Sequence, residues 1–203
     1  MRRPLVSVLA VGAAAAAVIG FSAIPASADS SITATYPVTG STYIKALNAT
    51  VRLGPGTLVS TLDLSTSALS SSLTLPAATA SFKELGIIPV TATTELIQDG
   101  AATGTADIST NTVTTTAQVT LKITSLSVAG LSVPVGSRCE TRTPASITLA
   151  SEAGFKLLSG GTLAGTYTIP RFSHCGLATL LINLTIPGKG NTITLTLGAA
   201  KLS

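Results

Sequence analysis

The 203-residue sequence has no Trp, one His, two Cys, three Tyr and four Phe, and only 10% of its residues are charged. Three Cys and His residues are too few for a structural zinc or iron–sulfur site with four such ligands. Nucleic-acid binding needs clustered cations and stacking rings, so we predict none. The hydrophobic fraction of 45% is too high, and the charge too low, for an intrinsically disordered chain. The composition also points to no cofactor.

Residues 1–28 have the pattern of a secretory signal peptide. Two Arg residues follow the initial Met, residues 5–24 are apolar and rich in Ala, and Ala26-Ser27-Ala28 is the small-x-small pattern that signal peptidase prefers. We predict cleavage between Ala28 and Asp29. The alternative is an uncleaved membrane anchor, for which the apolar run is just long enough. Removing the two Arg residues leaves ten of the twelve Lys and Arg against eight Asp and Glu, a nearly neutral chain.

Cys139 and Cys175 are the two cysteines of the sequence. Export places a chain in an oxidising compartment, so we predict that they form a disulfide. In the chain-entropy treatment, closing a loop of about 35 residues stabilises the fold by roughly 3–4 kcal/mol. A reactive thiol beside His174 is the alternative.

Apolar residues alternate with Thr and Ser along most of the remaining chain. Between Thr112 and Thr124 one face reads Val, Thr, Ala, Val, Leu, Ile, and five of the seven residues on the other are Thr. An apolar face opposite a wet face is typical of antiparallel sheets. We predict an all-β fold, an antiparallel β-sandwich of about 10–12 strands. A curved half-barrel or an up-and-down barrel is the alternative, because sandwich and barrel share this alternation.

Turn residues separate these runs, for example at Gly54-Pro55-Gly56 and in the segment 187–191. The leucines at 177, 180, 181 and 184 follow helical spacing and predict one short helix near 177–184. The sequence shows no linker or low-complexity tail. We therefore predict that residues 29–203 form a single secreted β domain.

Residues that could carry out catalysis are few. A glycosidase needs two facing carboxylates, which Glu95 and Asp107 would supply if they met on neighbouring strands. Solvated faces and turns are the more ordinary place for such residues. His174 is the one imidazole, and no Gly-x-Ser-x-Gly motif accompanies it. We predict a loop histidine with no catalytic role and no enzymatic activity.

Three arginines, Arg138, Arg142 and Arg171, lie close in sequence to the two cysteines. Arg binds carboxylate or phosphate through two parallel hydrogen bonds, so a small anion site is one interpretation. Because Glu140 lies between two of them in sequence, we favour local ion pairing.

Several segments of the sequence resemble small secreted β-rich proteins of actinobacteria. They include GSTYIKALNAT at 40–50, LGPGTL at 53–58, GTYTIP at 165–170 and IPGKGNTITL at 186–195. The resemblance extends over nearly all of the chain after residue 28. It implies export and identifies no catalytic or binding residue.

These observations predict a non-enzymatic secreted or cell-envelope protein of structural or interaction type, with wall or envelope components as partners. One alternative is an extracytoplasmic carrier of a lipid or another apolar ligand. A second is an outer-membrane β-barrel. A filled interior would favour the first function, and an apolar cavity would favour the carrier. The oligomeric state is left open.

Overall fold

A computed structural model describes residues 30–84 and 86–203. The predicted signal peptide 1–28 and its cleavage site between Ala28 and Asp29 lie outside these ranges. Fourteen strands are present, four of them only two residues long. In chain order they are β1 Ser31–Ile44, β2 Ala49–Asp63, β3 Ala68–Thr74, β4 Ala78–Glu84, β5 Ile88–Gln98, β6 Ala102–Asp107, β7 Thr112–Val128, β8 Leu131–Ser132, β9 Glu140–Thr141, β10 Ala145–Ser151, β11 Gly161–Ile169, β12 Phe172–Ser173, β13 Gly188–Leu197 and β14 Lys201–Leu202.

Eight of these strands close into an antiparallel barrel. They pair in the order β1, β2, β3, β6, β7, β10, β11 and β13, and β13 pairs again with β1. β4 continues the line of β3 and β5 continues into β6, so β4 and β5 extend the barrel beside the second half of β7. The all-β prediction is confirmed, and the up-and-down barrel fits. The sandwich is not confirmed, because β1 and β13 pair with each other instead of ending separate sheets.

The alternation in sequence sets the inner and outer faces of the barrel. In β7 the residues at 113, 115, 119, 121 and 123 are buried, whereas Thr112, Thr114 and Thr124 are exposed. Threonine hydroxyls also meet across strands, as between Thr33 and Thr61 at 3.0 Å. The outer surface is therefore hydroxyl-rich, and the apolar side chains line the inside.

Gly54-Pro55-Gly56 is not a turn, contrary to our prediction. β2 runs through it, and its register against β1 shifts there: Val38 pairs with Gly56 while Gly40 pairs with Leu53. Two residues thus lie opposite one, which is a β-bulge. The bulge explains how Leu53 and Leu58 both face the interior, although an odd separation normally places two residues on opposite faces.

The predicted helix near 177–184 is present as a 3-10 turn, Gly176–Ala178, followed by α1, Thr179–Thr185. It lies between β12 and β13. Ala178 and Ile182 are buried, whereas the leucines that suggested the helix face outward. The predicted disulfide is confirmed: Cys139 and Cys175 are bonded and wholly buried.

The barrel has two distinct ends. One holds the turns after β2 and β6 and the segment 152–160, which connects β10 to β11. The other holds the turn Lys45–Leu47, the disulfide and α1. We call these the hairpin end and the helix end.

Candidate functional site: the barrel interior

A row of small side chains crosses four neighbouring strands inside the barrel. Ser60 of β2 pairs with Ser71 of β3, and Ser71 pairs with Ala102 of β6. Ala117 of β7 lies next in this row and pairs with Ile147 of β10. Serine and alanine reach only a short way toward the axis, so this side of the wall leaves space that larger residues would fill.

A cavity of about 90 Å³ lies against this row, toward the hairpin end. Apart from Ser60, Ser71, Gln98, Thr115 and the ring of Tyr36, its walls are aliphatic or phenyl groups. These walls comprise Leu58, Leu69, Leu73, Leu75, Leu96, Ala102, Val113, Ala117, Val119, Ile147, Leu149, Phe155, Leu157, Leu163, Ile193, Leu195 and Leu197. A mostly apolar void of this kind can accept apolar guests.

Two hydroxyl groups face this cavity with no intramolecular partner. The side chains of Ser60 and Ser71 are buried, and their hydroxyls form no hydrogen bond with any residue in 30–84 or 86–203. Gln98 is different, because its amide is fully engaged: it accepts from the Leu73 N–H at 2.8 Å and donates to the Ser71 carbonyl at 2.9 Å. The serines are therefore the polar groups available to a guest.

A second cavity of about 50 Å³ follows along the strands, toward the helix end. Leu96 borders both cavities, so they lie next to each other along the inside of the barrel. The other walls of the second cavity are mostly apolar. They are Thr42, Ile44, Leu47, Val51, Leu53, Ala78, Ala80, Phe82, Ala92, Thr94, Leu121, Ile123, Tyr167, Ile169, Phe172 and Ile186.

Both ends of the interior are covered. At the hairpin end the segment 152–160 places Phe155 and Leu157 on the first cavity, and the Tyr36 hydroxyl donates to the Leu157 carbonyl at 2.8 Å. At the helix end Phe172 and Ile186 border the second cavity. A guest that enters through either end must therefore displace these covering side chains.

Two tyrosines point inward and have perturbed acidity. Burial raises the pKa of both Tyr36 and Tyr167 above the ordinary value. For Tyr167 a hydrogen bond with the Thr42 hydroxyl, 2.7 Å away, partly offsets that rise in pKa. Both phenols stay neutral at physiological pH, so they contribute ring surface and hydroxyl dipoles to the interior.

The carboxylates that sequence reasoning considered together are far apart. Glu95 of β5 forms an ion pair with Lys122 of β7 at 3.6 Å, whereas Asp107 ends β6 and accepts hydrogen bonds from Ser109. β5 and β6 follow one line, and twelve residues along a strand span roughly 40 Å. No facing pair is formed by these two groups.

His174 is exposed, and its Nδ1 lies 3.1 Å from the Ser173 hydroxyl. It has a left-handed backbone, φ 60°, immediately before Cys175. Among the described residues no group of three or more His, Cys, Asp or Glu is arranged to hold a metal ion. That the protein has no enzymatic activity stays a prediction.

The expected ion pairing of Arg138, Arg142 and Arg171 with Glu140 is not observed. Within residues 30–84 and 86–203, the Lys122–Glu95 contact is the one ion pair. Glu140 pairs through its backbone with Ser173 of β12, and the side chains of the three arginines are exposed to solvent.

Sequence reasoning missed the interior row as a site. The signal was present in the repeated pattern Leu-x-Ser-x-Leu at 58–62 and 69–73, where a serine lies in the middle of an apolar face. The pattern indicates a cavity only when the strand register is known, because the pairing of Ser60 with Ser71 places the two short side chains next to each other.

Comparison with known proteins gave no match: neither family models, nor curated proteins, nor solved structures are similar to this chain. The described part of the chain contains no helix that is long and apolar enough to cross a membrane.

Proposed function

We propose that this protein is an extracytoplasmic binder of a slender apolar ligand, with a single alkyl or acyl chain as the ligand class. The observation that carries the proposal is the pair of apolar cavities that follow one another inside the barrel, with Leu96 on the border of both. Ligand sites in small barrels occupy this central space.

The size of the cavities favours a chain over a ring system. The larger one measures about 90 Å³, below the roughly 150 Å³ of an engineered cavity that accepts benzene. A flexible chain can use both cavities in sequence if the side chains between them, Leu96 included, change rotamer, whereas a rigid fused ring cannot. The walls give affinity through apolar burial, of about 0.8 kcal/mol for each methylene removed from water.

The two free hydroxyls supply a polar anchor. Ser60 and Ser71 are directly opposite each other across β2 and β3, so one polar group of a guest can contact both. Each hydroxyl can donate one hydrogen bond and accept others. We infer that a hydroxyl, ester or carboxyl oxygen of the ligand lies at this pair.

The location outside the cytoplasm is supported by the disulfide. Disulfides such as Cys139–Cys175 persist in oxidising compartments and are rare in reducing ones. Cleavage after Ala28, secretion and an actinobacterial origin remain expectations from the sequence.

Straight-chain carboxylates of increasing length, titrated by calorimetry, test the proposal. We expect affinity to rise with chain length until both cavities are filled, with a negative heat-capacity change. Xenon, detected by NMR shifts of methyl groups, is an independent probe of the empty space. Absence of both xenon shifts and carboxylate binding would refute the proposal.

A structural or interaction role in the cell envelope is the second candidate. The hydroxyl-rich outer face favours it, because contacts such as Thr116 with Thr148 at 2.9 Å form regular rows on the exterior. The same face argues against the outer-membrane alternative. Transmembrane barrels present apolar residues outward and polar ones inward, and the arrangement here is the reverse.

A further inference from the structure

The segment 176–185 is apolar on its outer side as well as on its inner side. Ala178 and Ile182 pack inward, whereas Leu177, Leu180 and Leu184 are 101%, 70% and 73% exposed. A helix that is apolar all round is normally buried on every side. Packing against the barrel therefore accounts for only half of this helix, and the outward leucines call for a partner.

The leucines are presented on a fixed support. Asn183 of α1 accepts from the Phe172 N–H at 2.7 Å and donates to the Phe172 carbonyl at 2.9 Å. The disulfide from Cys139 to Cys175 ties down the chain immediately before the 3-10 turn. The outward face is consequently a built feature of the helix end.

Exposed cations lie at the same end of the barrel as these leucines. Arg138 precedes the bridged Cys139, Arg171 precedes the residue held by Asn183, and Lys189 follows α1 by four residues. The backbone N–H of Arg142 donates a hydrogen bond to the Arg171 carbonyl at 2.9 Å. Lys45, Lys83 and Arg142 are further exposed cations toward this end, where Glu140 is an acidic residue and Lys122 is paired with Glu95.

The hairpin end has the opposite charge around its apolar tips. Leu64 and Ile108 are 43% and 54% exposed there. Each follows an aspartate, Asp63 or Asp107, whose pKa is lowered by hydrogen bonds from the Ser two residues on. Both carboxylates are ionised at neutral pH, so each of these apolar tips lies beside a negative charge, although the exposed Lys156 is also at this end.

We propose that the helix end docks on a membrane surface that contains anionic lipid, with the leucines of 176–185 in the acyl region and the exposed cations of the same end at the headgroups. Leucine insertion combined with Lys and Arg near phosphates is the usual basis of interfacial binding. A protein partner fits less well, since a stable protein interface uses about 20–30 residues on each side and this patch is one short helix.

This inference is independent of the ligand proposed above. The Ala102→Leu variant, which fills the first cavity, should bind membranes as the unaltered protein does. If the ligand proposal fails and membrane docking holds, the two results remain distinguishable. If both hold, the bilayer is a source or destination for the bound chain.

Flotation with phosphatidylcholine vesicles, with and without phosphatidylglycerol, tests the docking. We expect binding only to the anionic vesicles, and weaker binding at high salt. Leu180→Ser combined with Leu184→Ser should weaken it at least about tenfold, because two side chains no longer leave water. Arg138→Gln combined with Lys189→Gln should weaken it and reduce its salt dependence.

Leu64→Ser combined with Ile108→Ser is the matched control, because it removes the same chemistry from the acidic end. Vesicle binding of this variant should equal that of the unaltered protein. Thermal unfolding of each variant verifies folding, and all four substituted apolar residues are exposed. The proposal is overturned if anionic vesicles do not bind, or if the control loses binding as strongly as the helix variant. A dimer in solution that Leu180→Ser abolishes would also overturn it, because a second copy would then be the occupant.

Discussion

Filling the first cavity by Ala102→Leu gives a quantitative test of the barrel interior. Ala102 is 6% exposed and borders the 90 Å³ cavity within the row of small residues. The substitution adds three carbon atoms to a side chain that already points into the space. Its neighbour Ala101 is exposed, so Ala101→Leu is a control of the same chemistry on the outside.

Two estimates of the gain agree. Cavities cost about 24 cal/mol per Å³, which for this volume is about 2 kcal/mol. Burying three additional carbons at about 0.8 kcal/mol each also gives roughly 2 kcal/mol. We therefore expect the free energy of unfolding to rise by up to about 2 kcal/mol. For a chain of this size the melting temperature should rise by roughly 4–8 °C.

The assay is thermal and denaturant unfolding of both variants, together with carboxylate titration. Ala102→Leu should be stabilised and should lose ligand affinity, whereas Ala101→Leu should change stability by less than about 0.5 kcal/mol and keep its affinity. Destabilisation of Ala102→Leu by more than about 1 kcal/mol would show that the site is already packed. Stabilisation with unchanged affinity would show that the ligand binds elsewhere.

Three further predictions concern the rest of the fold. Replacing both Cys139 and Cys175 by Ser should lower the free energy of unfolding by about 3–4 kcal/mol in denaturant titration, and equal stability would contradict the loop-entropy argument. Tyr167→Phe should remove part of the alkaline loss of stability. Because the pKa of Tyr167 is raised in the folded state, its contribution to stability is complete below the unfolded value near 10 and declines as the pH rises above it. Melting curves from neutral to strongly alkaline pH measure this decline. The lowered pKa of Asp107 has the opposite sign, so its contribution is present above about pH 4 and is lost on acidification. Asp107→Ala should therefore lower the melting temperature at neutral pH and leave it nearly unchanged in acid.

Alternation predicted the strands and their inner and outer faces because side-chain direction in a strand depends only on local backbone geometry. Between positions 113 and 123 of β7, successive side chains alternate between the inner and the outer face of the barrel. The disulfide followed from compartment and cysteine count. These features are local or compositional, and sequence reasoning reaches them.

Closure, register and helix orientation were beyond that reasoning. The pairing of β1 with β13 joins residues about 150 positions apart, and alternation carries no information about a strand's partner. Gly54-Pro55 has the composition of a turn, yet its neighbours continue the same ladder. In 176–185 both sides are apolar, so periodicity identified a helix without showing that Ile182, and not Leu180, faces inward.

The pairing of β13 with both β11 and β1 has a consequence for how the chain is made. Until β13 is in place, β1 and β11 each leave a line of unpaired N–H and C=O groups, which is a template for aggregation. The last long strand of the chain is thus the one that removes both open edges at once. During synthesis from the N-terminus these two edges stay unpaired until residues 188–197 have been made, so we expect truncation before β13 to make the chain prone to aggregation.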